Sequence, residues 1–339
     1  MQQNSTENPT VAVTLGDPTG IGPEIVAKAF AEGDFSRRHR AVVVGDEAIL
    51  RRAVRLLGLP LEVRVVADPG DGLYDPGVID LVAASELPED LPFGELDGRA
   101  GAAAYEYVER AVRLALEGRV AGVCTAPLNK EALHLAGLEY PGHTEILAGL
   151  TGTRDYAMML VAPDLRVIHV STHVSLAQAI ERATPERELA VIRLAHDAMQ
   201  RVGIAEPHIA VAGLNPHAGE NGLFGDDEAE KIAPAISAAR DEGLSVSGPW
   251  SADTVFNRAR GGDFDIVVVQ YHDQGHIPIK LLGFESGVNV TVGLPFFRTS
   301  VDHGTAFDIA GTGKAEHASL LAALDLAREL ALAEPDTED

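Results

Sequence analysis

The sequence predicts an α/β protein built on a mainly parallel, doubly wound sheet, and three observations carry that prediction. Short apolar, β-branched runs alternate with amphipathic stretches along the 339 residues, as expected of strands that feed helices and return. Thirty-four Gly and 19 Pro supply the tight loops this alternation needs. No G-x-G-x-x-G follows any strand, so the fold is expected to be non-Rossmann, and a dinucleotide must bind in another way. The length suits two domains or one large α/β unit, at about 100–200 residues per domain.

Residues 11–15 form a β-branched apolar run and read as a buried strand. The loop Gly16-Asp-Pro-Thr-Gly-Ile-Gly22 follows, and Pro23 suits the first position of a helix over 23–31. A strand at 41–44 precedes a helix at 47–57. Strands at 61–66 and 78–82 flank a turn-rich insertion at 69–76. Residues 102–116 have the 3.6-residue period of a long amphipathic helix leading into a strand at 120–125. Strands at 157–161 and 166–170 pair as a hairpin across Pro163-Asp164. Thr184 is placed to cap a helix over 185–202, with Pro185 first and Glu186 suited to its dipole. A strand at 208–212, a helix at 227–241 kinked at Pro234, and strands at 265–269 and 288–292 follow. Helices are expected at 305–310 and 315–332, before an acidic, frayed tail at 333–339.

Composition excludes some functions. Net charge is −24, from 51 acidic and 27 basic residues, of which five are Lys. Such a chain repels nucleic acid and anionic membrane, so neither is an expected partner. An acid-rich, Lys-poor surface suits work in high salt, as in a halophilic source, where self-repulsion is screened. Residues 1–9 are polar with no apolar leader core, and the longest apolar runs are far short of the about 20 residues that span a bilayer. The lone Cys124, inside an apolar run, reads as a core residue, and the absence of intrachain disulfides fits a reducing cytoplasm. An anionic substrate would need locally positive groups to enter so acidic a protein.

Three apolar strands run into histidine-bearing loops: Arg166-Val-Ile-His-Val-Ser-Thr-His173, His208-Ile-Ala-Val-Ala-Gly-Leu-Asn-Pro-His217 and Ile266-Val-Val-Val-Gln-Tyr-His272. Ligands bind beyond the carboxyl ends of strands in open parallel sheets, so three such histidines can converge on one point. Neutral imidazoles suit Zn, Mn, Co or Ni, and a three-His set leaves positions open for substrate oxygen. A single His after a strand is commonly a hydrogen-bonded loop residue; the repetition favours a metal site. Asp253 and Asp273 occupy similar loops, where a carboxylate orients an imidazole, acts as a base or caps a helix. Lys280 and Arg298 sit in otherwise uncharged stretches and suit a phosphate or carboxylate, or else a buried ion pair with Glu285. His143 and Thr144 open a helix, a natural anion site unless Thr144 is an ordinary cap. In His303-Gly-Thr-Ala-Phe-Asp308-Ile-Ala-Gly-Thr-Gly313, small residues allow close ligand approach, and Asp308 can accept from a ribose hydroxyl or cap a turn.

At these residues the sequence resembles the 4-hydroxythreonine-4-phosphate dehydrogenase family over nearly its whole length. The matching segments are Thr14-Leu-Gly-Asp-Pro-Thr-Gly-Ile-Gly-Pro-Glu24, Pro141-Gly-His-Thr-Glu145, Gly213-Leu-Asn-Pro-His-Ala-Gly-Glu220, Ser251-Ala-Asp-Thr254, Tyr271-His-Asp-Gln-Gly275, Gly287-Val-Asn-Val-Thr291 and Arg298-Thr-Ser-Val-Asp-His-Gly-Thr-Ala306. The stretch from His303 is similar to the adenosine loop of the isocitrate and isopropylmalate dehydrogenases, whose fold the family shares. The resemblance implies two α/β domains around a central, mostly parallel sheet: an NAD-binding domain at 10–125 and 290–333, and a metal, substrate and dimerisation domain at 126–289. It implies a homodimer with shared active sites, with His173, His217 and His272 as metal ligands drawn from both subunits. His143, Thr144, Lys280, Asn289 and Arg298 match substrate-binding positions, His303, Gly304, Thr305 and Asp308 fall to NAD or NADP, and Asp253, Asp273 and Lys280 are candidates for proton transfer.

The implied reaction is oxidation of the 3-hydroxyl of a 4-phosphorylated four-carbon acid, helped by one divalent cation (Zn, Mg, Mn or Co), then β-decarboxylation to a phosphorylated ketone, dihydroxyacetone phosphate. Biosynthetic members usually carry an apolar residue where this chain has His276. The His version is similar to a catabolic branch acting on 4-phospho-D-threonate or 4-phospho-D-erythronate. The alternatives are the 4-hydroxythreonine-4-phosphate dehydrogenase of pyridoxal phosphate biosynthesis, a phosphate acyltransferase-like enzyme using coenzyme A, and a non-catalytic metal- or phosphate-binding protein.

Overall fold

The computed structural model describes residues 8–282 and 287–333. Glu285, considered above as an ion-pair partner, and the tail beyond residue 333 lie outside the described residues. In chain order the described strands are β1 (Thr10–Thr14), β2 (Arg40–Gly45), β3 (Glu62–Val65), β4 (Val78–Ala83), β5 (Gly122–Thr125), β6 (Ala157–Ala162), β7 (Leu165–His169), β8 (Ile209–Ala212), β9 (Val246–Trp250), β10 (Ile266–Val269), β11 (Val288–Val292) and β12 (Phe297–Ser300). The described residues divide into two compact units, one of residues 8–153 with 294–332, the other of residues 154–282 and 287–293 with Ala333.

In the first unit the strands run β3-β4-β2-β1-β5-β12, every pairing parallel. β1, β2 and β5 are buried almost throughout, as strands covered on both faces must be. Helix Gly98–Leu116 covers this sheet and starts earlier than its apolar period suggests, because the Asp97 carboxylate accepts the Arg99 N–H at 2.8 Å.

In the second unit the order is β11-β6-β7-β10-β8-β9. β6 and β7 form the expected hairpin, β11 is antiparallel to β6, and β7, β10, β8 and β9 are parallel. Leu160, Val167, Val267, Val269 and Ile279 form part of its core, each at most 1% exposed, and each such side chain contributes about 1.5–3 kcal/mol on burial. Thr184 caps helix Pro185–Arg201 as anticipated. The two units together have the expected mostly parallel, non-Rossmann α/β architecture.

Three readings change. Residues 305–310 are irregular chain and then turn, not helix: Ala306 has φ +42°, a left-handed value that ends helical propagation, and Thr305 C=O accepts the Ile21 N–H. The helix at 227–241 is a π-turn, Glu228–Ile232, then an α-helix, Ala233–Asp241, which Pro234 helps start rather than kinks. β9 hid behind its Gly-Pro content, tolerated because it lies at the edge of its unit's sheet. Among the described residues no helix is long and apolar enough to cross a membrane.

Candidate functional site

In the second unit, β7, β10 and β8 are adjacent and parallel, so the loops carrying His173, His272 and His217 leave from one sheet edge. The His173 and His272 rings lie 5.7 Å apart, centroid to centroid. His272 opens helix His272–Leu282 and donates from Nδ1 to the Asp273 carboxylate at 2.7 Å. That bond fixes the tautomer and leaves the Nε2 lone pair as a donor, the arrangement typical of a ligating imidazole. The pair thus has the donor chemistry for a borderline divalent ion. His217 is exposed, with φ +53°, and its ring is 6.0 Å from that of Phe224. Among the described residues no group of three or more His, Cys, Asp or Glu side chains is placed to hold a metal ion.

His272, His276 and Lys280 follow at intervals of four and share one helix face. His276 is buried, and its ring stacks on His272 with centroids 3.6 Å apart and planes 13° inclined. Behind it lies His169, 4.9 Å away, which donates from Nδ1 to Met158 C=O at 3.1 Å. Burial, helped by the neighbouring histidines, pulls the His169 pKa down to about 3, so it is neutral. Gly275 is required here: a Cβ would meet His169 Nε2 at 2.5 Å. Asp253 and Asp273 are exposed, and Asp253 accepts from Ser251 Oγ. Asn289, on β11, is half-buried, with its Oδ1 sealed from solvent and bonded to no donor among the described residues.

A buried amide network underlies these loops. Gln270 N–H donates to Gln274 Oε1 at 2.7 Å, Gln270 Nε2 to Ala212 C=O at 3.0 Å, and Gln274 Nε2 to Gly213 C=O at 2.8 Å. Glu188 is fully buried beside Gln270 Nε2, and burial raises its pKa to about 8. Sequence reasoning missed this network and His169. The available signal was Gln270 ending the run Ile-Val-Val-Val, where a polar residue needs partners.

The first unit holds the anion candidates other than Lys280. Helix His143–Thr151 begins at His143, with Gly142 rather than Thr144 as N-cap and no side-chain cap bond, so its first N–H groups are available to an anion. His143 is half-buried with Nε2 sealed; burial, then Arg298 and Lys130, hold its pKa well below the ordinary range. Arg298, on β12, is 2% exposed and donates from Nη2 to Thr125 Oγ1 at 2.7 Å. Burial lowers its pKa to about 10, which leaves it charged at neutral pH.

His303, Gly304 and Asp308 are exposed and Thr305 is buried. The Gly-rich end of this loop is fastened to helix Gly22–Phe30. Glu24 accepts the Gly311 and Gly313 N–H groups at 2.5 and 2.8 Å, while Lys28 donates to the Gly313 and Ala315 carbonyls at 2.7 and 2.6 Å. Glu24 and Lys28 were also missed, although their four-residue spacing marks one helix face.

The profile of the pyridoxal phosphate biosynthetic protein PdxA matches residues 37–327. A D-threonate 4-phosphate dehydrogenase from Cupriavidus necator is 54% identical over 324 residues, covering 95% of this chain and 97% of that relative. A 4-hydroxythreonine-4-phosphate dehydrogenase from Beijerinckia indica is 50% identical, covering 96% of each. The crystal structure of 4-hydroxythreonine-4-phosphate dehydrogenase from Klebsiella pneumoniae is 52% identical, with a TM-score of 0.90 over 95% of this chain and 99% of that one.

Proposed function

This chain belongs to the PdxA family, and from that premise we propose that it is an NAD(P)-dependent dehydrogenase of a 4-phosphorylated four-carbon hydroxy acid. Its substrate on this reading is 4-phospho-D-threonate or 4-phospho-D-erythronate. The 3-hydroxyl carbon gives hydride to the nicotinamide, the hydroxyl proton passes to the protein, and the resulting β-keto acid loses carbon dioxide to leave dihydroxyacetone phosphate. The observation that carries the reading is the helix face on which His272, His276 and Lys280 follow in register, with His173 beside it.

His173, His217 and His272 would hold a divalent cation (Zn, Mg, Mn or Co), which when bound supplies Lewis-acid assistance to loss of the hydroxyl proton. Asp273 keeps the His272 imidazole in the tautomer that offers Nε2. Arg298 and the open N-terminus at His143 and Thr144 receive the anionic groups, and a neutral His143 can donate to an oxygen without a counter-charge. Asn289 Oδ1 accepts from a substrate hydroxyl. Lys280 either holds an anionic oxygen as an ammonium or, as a neutral amine, joins Asp253 and Asp273 as a candidate to take the proton. His303, Gly304, Thr305 and Asp308 face the adenosine end of NAD or NADP, on a loop held by Glu24 and Lys28. Local cations thus resolve the attraction of an anion to a chain of net charge −24.

We assign the active form as a homodimer whose metal donors come from both copies. Leu176, Leu223 and Leu281, 65%, 71% and 82% exposed on the second unit, are apolar surface that a second copy would cover. The lone, buried Cys124 is in keeping with a reducing cytoplasm.

The second reading is oxidation of 4-phosphohydroxythreonine in pyridoxal phosphate biosynthesis, favoured by the Beijerinckia relative's name. NADH formation from 4-phospho-D-threonate, 4-phospho-D-erythronate and 4-phosphohydroxythreonine, measured side by side, tests the choice. A higher kcat/KM for either hydroxy acid is expected; a higher value for the amino acid contradicts the proposal.

A further inference from the structure

The loop that ends in His217 has an unusual backbone. His217, Ala218, Glu220 and Asn221 all have positive φ, between +42° and +57°, a region that non-glycine residues rarely occupy. Something outside the loop must hold it there. Glu228, 4% exposed, stands at the start of the π-turn Glu228–Ile232. Its Oε1 accepts the backbone N–H groups of Leu214 and Asn215 at 2.8 and 2.6 Å, and its Oε2 accepts from Asn215 Nδ2 at 3.0 Å. Two glycines make room for the carboxylate: a Cβ at Gly213 would meet Oε1 at 3.1 Å, and one at Gly219 would meet Oε2 at 2.7 Å. The carboxylate is therefore held between the residues that precede His217 and the residue that closes the turn after it.

We propose that Glu228 is a positioning residue that fixes the His217 imidazole by bonding the residues that lead into it, Leu214 and Asn215, while its carboxylate packs against Gly219 beyond it. A neutral side chain of similar shape would fill the same space. The charge matters because charge-assisted bonds to N–H groups are roughly twice as strong as neutral ones, and they oppose relaxation of four left-handed residues. Glu228 is the first residue of a single π-turn, a feature frequent at functional sites. The inference rests on the reading of His217 as a metal donor.

The test uses the full-length protein, stripped of metal and titrated with Co2+ while its visible absorption is followed. Glu228→Gln is expected to weaken Co2+ binding about 10–100-fold, the effect typical of groups that orient a ligand, and to shift the absorption band while the far-UV spectrum stays that of the wild type. His217→Ala, measured alongside, is expected to weaken binding at least as far. Should Glu228→Gln not fold, Asn215→Ala removes one strand of the clamp and is expected to weaken Co2+ binding at least about threefold, with the same band shift. Binding and spectrum within twofold of wild type in the folded Glu228 or Asn215 variant, when His217→Ala has lost binding, overturns this inference alone. Unchanged binding in His217→Ala overturns the metal reading and this inference with it.

Discussion

The His276 ring lies flat against that of His272, with centroids 3.6 Å apart, and its Nδ1 donates to the His272 carbonyl at 2.9 Å. One residue thus holds both the backbone and the imidazole of the candidate ligand one turn before it. His276→Leu removes the stack and the bond. It is expected to lower kcat/KM for 4-phospho-D-threonate about tenfold or more, the equivalent of about 1.4 kcal/mol, while His276→Phe, which keeps a ring there, loses less. Steady-state kinetics on the two variants check this; equal losses would show that stacking plays no part.

Arg298 is a buried guanidinium facing Thr125 and His143. Arg298→Lys keeps the charge but loses the planar fork. An increase of at least about tenfold in KM is expected, since a hydrogen bond to a charged group is worth about 1.5–3 kcal/mol. The thermal midpoint of the variant, measured in parallel, separates this loss from a folding defect.

Glu188 makes stability fall as pH rises. Its carboxyl has a folded pKa of about 8 against an ordinary 4.5, so between those values the folded state binds more protons than the unfolded one. The contribution is fully present below about pH 4.5 and is lost as pH climbs through 8, up to roughly 5 kcal/mol. Urea unfolding of wild type and Glu188→Gln at pH 5.5 and 8.5 should show the variant gaining on the wild type at the higher pH. Comparing the two cancels the contribution of His169, which is buried neutral and acts below pH 6.5.

Glu24→Gln weakens two bonds to the loop at Gly311 and Gly313. NAD affinity, followed by calorimetry, is expected to fall at least about fivefold, from about 1 kcal/mol of lost loop order, with Co2+ binding unchanged. Equal weakening of both ligands would mean general loosening instead.

Much of this was legible in the sequence. β-branched runs located β1, β2 and β10, because fully buried parallel strands tolerate few polar residues, and the Gly-flanked alternation of 288–292 located the antiparallel β11. Strand-end histidines marked the candidate site because β7, β8 and β10 end on one sheet edge. The expected helix at 305–310 failed because the left-handed Ala306 is set by contacts with distant Ile21, not by local propensity. Glu228, Glu24 and Gln270 were not legible for a related reason. Their side chains bond to partners 13–289 residues away, and a carboxylate that clamps a loop looks in sequence like any solvated acid.

The most direct test of the central claim is the NADH absorbance formed when metal-stripped protein, with and without restored Mn2+ or Co2+, meets NAD and 4-phospho-D-threonate. The account predicts formation only with metal present, accompanied by stoichiometric carbon dioxide, and its loss in His217→Ala. Undiminished NADH formation in the presence of excess chelator, or none under any metal, would contradict it.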